Sequence, residues 1–168
     1  MRSGGWGSLA LLLLVALVLL RPWESLDELG RDETPATATV VVSRVVDGDT
    51  VEVQLGGETE DVRYIGVDTP ETVKPGAPVD CFGPQASAFN HRLVEGRRVR
   101  LVLGEERRDV YGRLLAYVYL GDRFVNAELV RRGLARTLTI PPNDRYAARF
   151  ERLEIAASRA GRGLWGAC

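Results

Sequence analysis

The chain has 168 residues, with 22 Lys and Arg against 23 Asp and Glu, one His, two Cys and 45% hydrophobic residues. That length allows one domain with an extension, and a composition 27% charged and rich in Leu and Val excludes a disordered chain. The formal net charge of -1 excludes bulk positive charge as the means of holding a polyanion.

Leu9 to Leu20 reads LALLLLVALVLL, without a polar group, after Arg2 and before Arg21-Pro22. Extended back to Trp6 the run is about 15 residues, short of the ~20 that a relaxed transmembrane helix needs. No small-x-small cleavage site follows it closely, which favours an uncleaved membrane anchor over residues 1–20 rather than a cleaved export signal. Either reading places the rest of the chain outside the cytoplasm. Residues 21–38 shift to Glu, Asp, Thr and Pro and read as an acidic linker. Residues 39–168 form the working domain. Without the three Arg and five acids of the first 38 residues, it carries 19 basic against 18 acidic residues.

Within that domain, Thr39–Val46 is β-branched and ends in the turn Asp47-Gly48-Asp49. Thr50–Leu55 alternates as a half-buried strand does, and Gly56-Gly57 is a hairpin turn. Glu60–Val67 is the third strand. Pro84–Glu95, with Ala86, Phe89 and Leu93 at helical spacing, is the first helix and stops at Gly96. Arg98–Leu103 and Leu114–Leu120 are the fourth and fifth strands. Helices follow over Asn126–Arg132 and Asn143–Ala160, the latter carrying Tyr146, Phe150, Leu153 and Ala157 on one stripe. Five short strands with a helix between the third and fourth suit an α+β fold: a five-stranded Greek-key barrel of the OB type with three α-helices, preceded by the N-terminal apolar helix. Cys81 and Cys168 are an isolated pair that an exported domain would join as a disulfide and a cytosolic one would keep as free thiols.

Two acidic strings carry the chemistry. If the second and third strands pair as a hairpin, Asp49, at the start of one, comes beside Asp68, at the end of the other. Two adjacent carboxylates need a cation between them, and hard oxygen ligands favour Ca²⁺ or Mg²⁺ over zinc. Asp-Gly-Asp and Asp-Thr-Pro are also ordinary turn sequences. Their company decides between the two readings: Arg63 on the third strand and Arg113 ahead of the fifth would converge on the same rim, and guanidinium groups match phosphate oxygens.

The strings Asp47-Gly48-Asp49-Thr50, Val62-Arg63-Tyr64-Ile65-Gly66-Val67-Asp68-Thr69-Pro70-Glu71, Phe82-Gly83-Pro84-Gln85, Asp109-Val110-Tyr111-Gly112-Arg113 and Val125-Asn126-Ala127-Glu128 stand in this order. Together they resemble the staphylococcal nuclease, or thermonuclease, family from about Val40 to Trp165. The resemblance implies Ca²⁺-dependent hydrolysis of DNA and RNA by a monomer. Asp49 and Asp68 would be the carboxylate ligands and Thr69 would add its backbone carbonyl. Glu71 would contact the metal's water and act as general base, Arg63 and Arg113 would grip the scissile phosphate, and Tyr111 would bind phosphate or line the nucleotide pocket. The chain departs from the family's type member at Leu138 and Ile140, where that protein has two tyrosines beside the base, a stacking contribution of ~1–3 kcal/mol per base. Gln85 replaces a common Glu, and the Cys pair is additional. Arg97-Arg98, Arg107-Arg108 and Arg131-Arg132 read as solvated faces, as does His91, and Arg107-Arg108, which precedes the Asp109–Arg113 loop, is the best of these pairs for contacting nucleic-acid backbone. The runner-up is a non-catalytic OB-fold module that binds nucleic acid without cutting it.

Overall fold

The computed structural model describes residues 36–72 and 79–168. The proposed anchor and most of the proposed linker lie outside the described residues, and no helix among those described is long and apolar enough to cross a membrane.

Among the described residues, eight strands and four helices follow one another: β1 (Thr37–Val45), β2 (Thr50–Leu55), β3 (Glu58–Tyr64), β4 (Gly66–Asp68), α1 (Gly83–Val94), β5 (Arg98–Arg108), β6 (Leu114–Leu120), β7 (Arg123–Phe124), α2 (Val125–Arg131), β8 (Arg136–Leu138), α3 (Ala147–Arg159) and the single turn α4 (Leu164–Ala167). The main sheet runs β3-β2-β1-β5-β6-β7, and a parallel pairing of β3 with β6 closes it. The result is the expected five-stranded barrel with three principal helices. Its interior is filled by the alternate residues of each strand: Val40 and Val42, Val51 and Val53, Val62 and Tyr64, Val99, Leu101 and Leu103, and Leu114, Ala116 and Val118 are all buried. This is the period-2 pattern that closure of a small barrel requires.

The fourth strand continues past the expected Leu103 to Arg108, and two further boundaries that shape the site also differ from those expected of the sequence. The third strand does not run on to Val67. It stops at Tyr64, and Gly66 turns the chain with φ +80°, so that Val67 and Asp68 leave the barrel and pair with Thr137 and Arg136 of β8. A Cβ on Gly66 would come within 2.4 Å of the Phe150 ring, so both its left-handed backbone and its lack of a side chain are used here. The last helix begins at Ala147 rather than Asn143, because the buried Asn143 side chain is committed elsewhere. Its amide donates to the Glu106 carbonyl at 2.8 Å and its Oδ1 accepts from the Glu106 N–H at 3.2 Å, holding β5 where its register with β6 shifts between Leu103 and Arg108.

Cys81 and Cys168 are bonded to each other, with an S–S distance of 2.07 Å. The bond fastens the last residue to the segment entering α1.

Candidate functional site

The turn Asp47-Gly48-Asp49 between β1 and β2 is built by its own side chains: the Asp49 N–H donates to Asp47 Oδ1 at 3.0 Å. A Cβ on Gly48 would lie 2.7 Å from Thr69 Oγ1. Glycine is therefore what lets this turn touch the segment that follows β4. The two segments are then tied, since the Thr69 N–H and hydroxyl both donate to Asp49 Oδ2, at 2.6 and 2.9 Å. Thr50 is opposite Arg63 in the β2–β3 register. It is thus Arg63, rather than Asp68, that stands across from the start of β2.

Arg63 joins the two carboxylates. Its Nη1 lies 3.0 Å from Asp49 Oδ2 and its Nη2 2.8 Å from Asp68 Oδ1. The same Nη1 donates to the Val67 carbonyl at 2.9 Å, so the break between β3 and β4 also orients this guanidinium. Asp49 is 3% exposed, and burial pushes its carboxyl up to about 7, an effect that Arg63 and the Thr69 donors oppose and Asp47 reinforces. A carboxylate in this position needs a positive neighbour to stay ionised.

Arg113 reaches the same place from the loop between β5 and β6. Asp109 accepts from the Tyr111 and Arg113 N–H groups, both at 3.0 Å, and from Arg113 Nε at 2.7 Å. One carboxylate therefore shapes the loop and aims the guanidinium. Glu71 accepts from the Thr72 N–H at 2.8 Å, and its backbone exchanges bonds with Asp80 at 3.1 and 2.9 Å. Asp47, Asp49, Thr50, Arg63, Asp68, Thr69, Glu71 and Arg113 line one polar cleft of about 220 Å³. The six residues singled out for metal and phosphate chemistry thus share a single cleft. Tyr111 is on a neighbouring wall, 80% exposed, with the Arg113 guanidinium 5.4 Å from its ring centre. It lines an adjoining apolar cleft of about 300 Å³, together with Arg63, Arg113, Leu115, Leu138 and Ile140.

Among the described residues no three Asp, Glu, His or Cys side chains form a metal centre by themselves. The donors that can fit a cation are two carboxylates, Asp49 and Asp68, which line the cleft together with Thr69. All are hard oxygen, which suits Ca²⁺ or Mg²⁺ completed by water. In this structure the positive charge that the two carboxylates share is that of Arg63.

The cleft also depends on residues that the sequence pattern does not single out. Besides Asp109, buried Asn90 receives the Tyr64 hydroxyl at 3.2 Å and donates to the Asp47 carbonyl at 3.1 Å. Buried Asn126 accepts from the Val118 N–H and donates to the Ile65 carbonyl, both at 2.9 Å. A signal for Asn90 exists: it falls on the stripe Ala86, Asn90, Leu93, Val94 of α1, where an amide is out of place unless it has partners. Arg108, read as part of a solvated face and of the pair best placed for nucleic-acid backbone, is instead tied to other residues. It makes two bonds to the Glu60 carboxylate, at 2.9 and 2.8 Å, and one to the Gly112 carbonyl at 2.8 Å, which fastens the Asp109–Arg113 loop to β3.

The pattern of the staphylococcal nuclease homologue family matches residues 61–167. A thermonuclease of Staphylococcus intermedius is 46% identical over 125 residues, 74% of this chain and 74% of the relative. A thermonuclease of Staphylococcus hyicus is 43% identical over 127 residues, covering 76% and 75%. Endonuclease YncB of Bacillus subtilis (strain 168) is 41% identical over 128 residues, 75% of this chain and 61% of the relative. With the barrel closed as that family's fold requires and the match spanning most of the domain, the chain belongs to the staphylococcal nuclease family.

Proposed function

We propose that this chain is a Ca²⁺-dependent nuclease that hydrolyses phosphodiester bonds of DNA, RNA or both, and that it works outside the cytoplasm. Phosphodiester hydrolysis as such rests on the family and on relatives that are thermonucleases and endonucleases. The observation that carries the finer reading is the convergence of Arg63, Arg113 and Glu71 with Asp49 and Asp68 in one polar cleft.

In this reading Asp49, Asp68 and the Thr69 carbonyl hold the cation. When bound, a divalent cation supplies Lewis-acid stabilisation of a phosphoryl oxygen and lowers the pKa of water. Arg63 and Arg113 bind the scissile phosphate and stabilise the charge that builds on it during in-line displacement, more strongly in the transition state than in the ground state. Glu71 accepts the proton of the attacking water. Tyr111, Leu138 and Ile140 receive the nucleotide base in the apolar cleft. Two aliphatic side chains offer a base less stacking than two aromatic rings would, so affinity for a mononucleotide is expected to be lower than for a relative with tyrosines there.

Export is supported by the apolar run Leu9–Leu20 and by the Cys81–Cys168 bond, since disulfides persist in oxidising compartments. The run would anchor the chain in the membrane, or release it if cleaved. A site completed within one chain supports action as a monomer. Incubation with single-stranded DNA in Ca²⁺, and in parallel in EDTA, tests the activity: cleavage that EDTA abolishes is expected. Retarded migration without cleavage would instead mark a binding module, and cleavage undiminished by EDTA would refute the role of the cation.

A further inference from the structure

A second basic cleft lies away from the polar one. The face of α1 that carries Gln85, Phe89 and Arg92 at helical spacing forms one wall, Arg131 and Arg132 at the end of α2 a second, and Arg162-Gly163 after α3 a third, around about 500 Å³. Four guanidinium groups line it. Among the described residues the acid paired with them is Glu128, 2.6 Å from Arg131 and 3.4 Å from Arg132. Arg131 and Arg132 are 48% and 46% exposed in spite of that pairing. Arg92 and Arg162 are exposed as well, and no described acid pairs with either. One carboxylate against four arginines leaves a concentrated positive field in a domain whose charges otherwise nearly cancel.

The cleft is rigidly built. Arg132 lies over the Phe89 ring, 4.8 Å from its centre, which holds one face of the guanidinium and leaves its edge for a ligand. Arg162 Nη1 donates to the Arg131 carbonyl at 3.3 Å, and the Leu164 N–H donates to the Gly133 carbonyl at 2.9 Å. The two arginine-bearing turns are thereby locked together.

A third cleft shares residues with the polar cleft and has chain neighbours on the arginine cleft. Asp68 and Thr69, on the polar cleft's wall, line a neighbouring cleft of about 280 Å³ as well, with Asp80, Cys81, Arg136, Leu164 and Cys168. Phe82 and Gly163, the chain neighbours of Cys81 and Leu164, line the arginine cleft.

We infer that Arg92, Arg131, Arg132 and Arg162 form a second binding site for the phosphate backbone of single-stranded nucleic acid, which holds a long substrate several nucleotides from the bond being cut. The inference rests on the nuclease reading for its purpose. A flexible polyanion is the occupant that fits, because three chain segments bring four arginines to one open cleft where a single carboxylate is paired with them. Guanidinium groups bind phosphate without reading base identity, so the site contributes affinity and processing of long strands, not sequence preference.

The test uses the 168-residue chain and its Arg92→Glu/Arg162→Glu variant. Binding of a fluorescein-labelled 30-nucleotide oligothymidylate is measured by anisotropy in EDTA, where cleavage does not interfere. The variant is expected to bind at least about tenfold more weakly. Its plot of log K against log salt should be shallower by roughly 1.4, from about 0.7 for each of two single-strand phosphates no longer neutralised. Hydrolysis of a dinucleotide in Ca²⁺, too short to span the clefts, should be unchanged, and this also shows the variant to be folded. The milder Arg92→Gln/Arg162→Gln variant should lie between. Oligonucleotide affinity within twofold of the parent would overturn the inference, as would equal losses on dinucleotide and oligonucleotide. Loss of binding to phosphatidylglycerol vesicles with oligonucleotide affinity intact would overturn it too, by making the patch a lipid-headgroup surface. If the parent fails to cleave the oligonucleotide in Ca²⁺ while its binding still depends on these arginines, the nuclease reading fails and the binding site stands.

Discussion

At the scale of single residues, the centre is organised by charge placed where water is scarce. Arg63 bridges Asp49 and Asp68, so its loss removes a phosphate donor and leaves a buried carboxylate without its partner. Arg63→Ala and Glu71→Ala are each expected to lower turnover on single-stranded DNA by at least about a hundredfold, the usual cost of one such group. Ordinary turnover by a folded Arg63→Ala protein would rule out its role. Asp109 touches no substrate in this scheme and positions Arg113. Asp109→Ala should reduce turnover by about tenfold or more, with partial rescue by Asp109→Glu; an unaltered rate would show that Arg113 needs no such guide. Burial raises the Asp49 carboxyl to about 7, above its unfolded value, so the folded state holds this proton more tightly. In EDTA, that proton's contribution to stability is present at low pH and is lost as pH rises through about 7. Urea denaturation of the parent and of the Asp49→Asn variant, from pH 4 to 8, isolates the effect: the difference should shift in favour of the variant as pH rises, and a constant difference would contradict it.

At the scale of elements, the break between β3 and β4 is the decisive local feature. An uninterrupted strand would carry Val67 and Asp68 along the barrel wall. The turn at Gly66 sends them to β8 instead, which brings Asp68 to Arg63 and Leu138 to the apolar cleft. Gly66→Ala meets both a left-handed backbone and the Phe150 ring, and is expected to cost at least about 2 kcal/mol and to impair Ca²⁺ binding by calorimetry. Native stability together with native affinity would show that the turn tolerates a side chain. The α1 and α2 amides act similarly: Asn90 and Asn126 satisfy backbone groups at the strand ends that carry the site. Sequence periodicity locates α1 well. It does not reveal the short β7 and β8, because two or three residues carry no periodicity to read.

At the scale of the whole molecule, the Cys81–Cys168 bond closes a loop of 87 residues in sequence separation. Cys168→Ser should therefore lower unfolding free energy by about 2–4 kcal/mol in urea, and reduction of the parent should do the same. An unchanged denaturation midpoint would show that the C-terminus is held by α4 alone. The near-neutral charge of the chain conceals opposite local fields. Acids gather at the polar cleft and arginines at the cleft between α1 and α2, a separation that no overall sum can show.

Much of this protein is readable from residue order. Strand alternation and helix spacing set the barrel and its helices, because burial imposes periods of 2 and 3.6 on any chain that folds this way. The spacing of Asp49, Arg63, Asp68, Glu71 and Arg113 marks the candidate site. Tertiary structure alone decides which charges meet. Asp49 and Asp68 share Arg63 rather than facing each other directly, Arg108 turns inward to Glu60, and Arg92 joins Arg131, Arg132 and Arg162 across three helices. Periodicity assigns a side chain to a face, whereas an electrostatic partner depends on distance, and distance between residues remote in sequence is set only when the barrel closes.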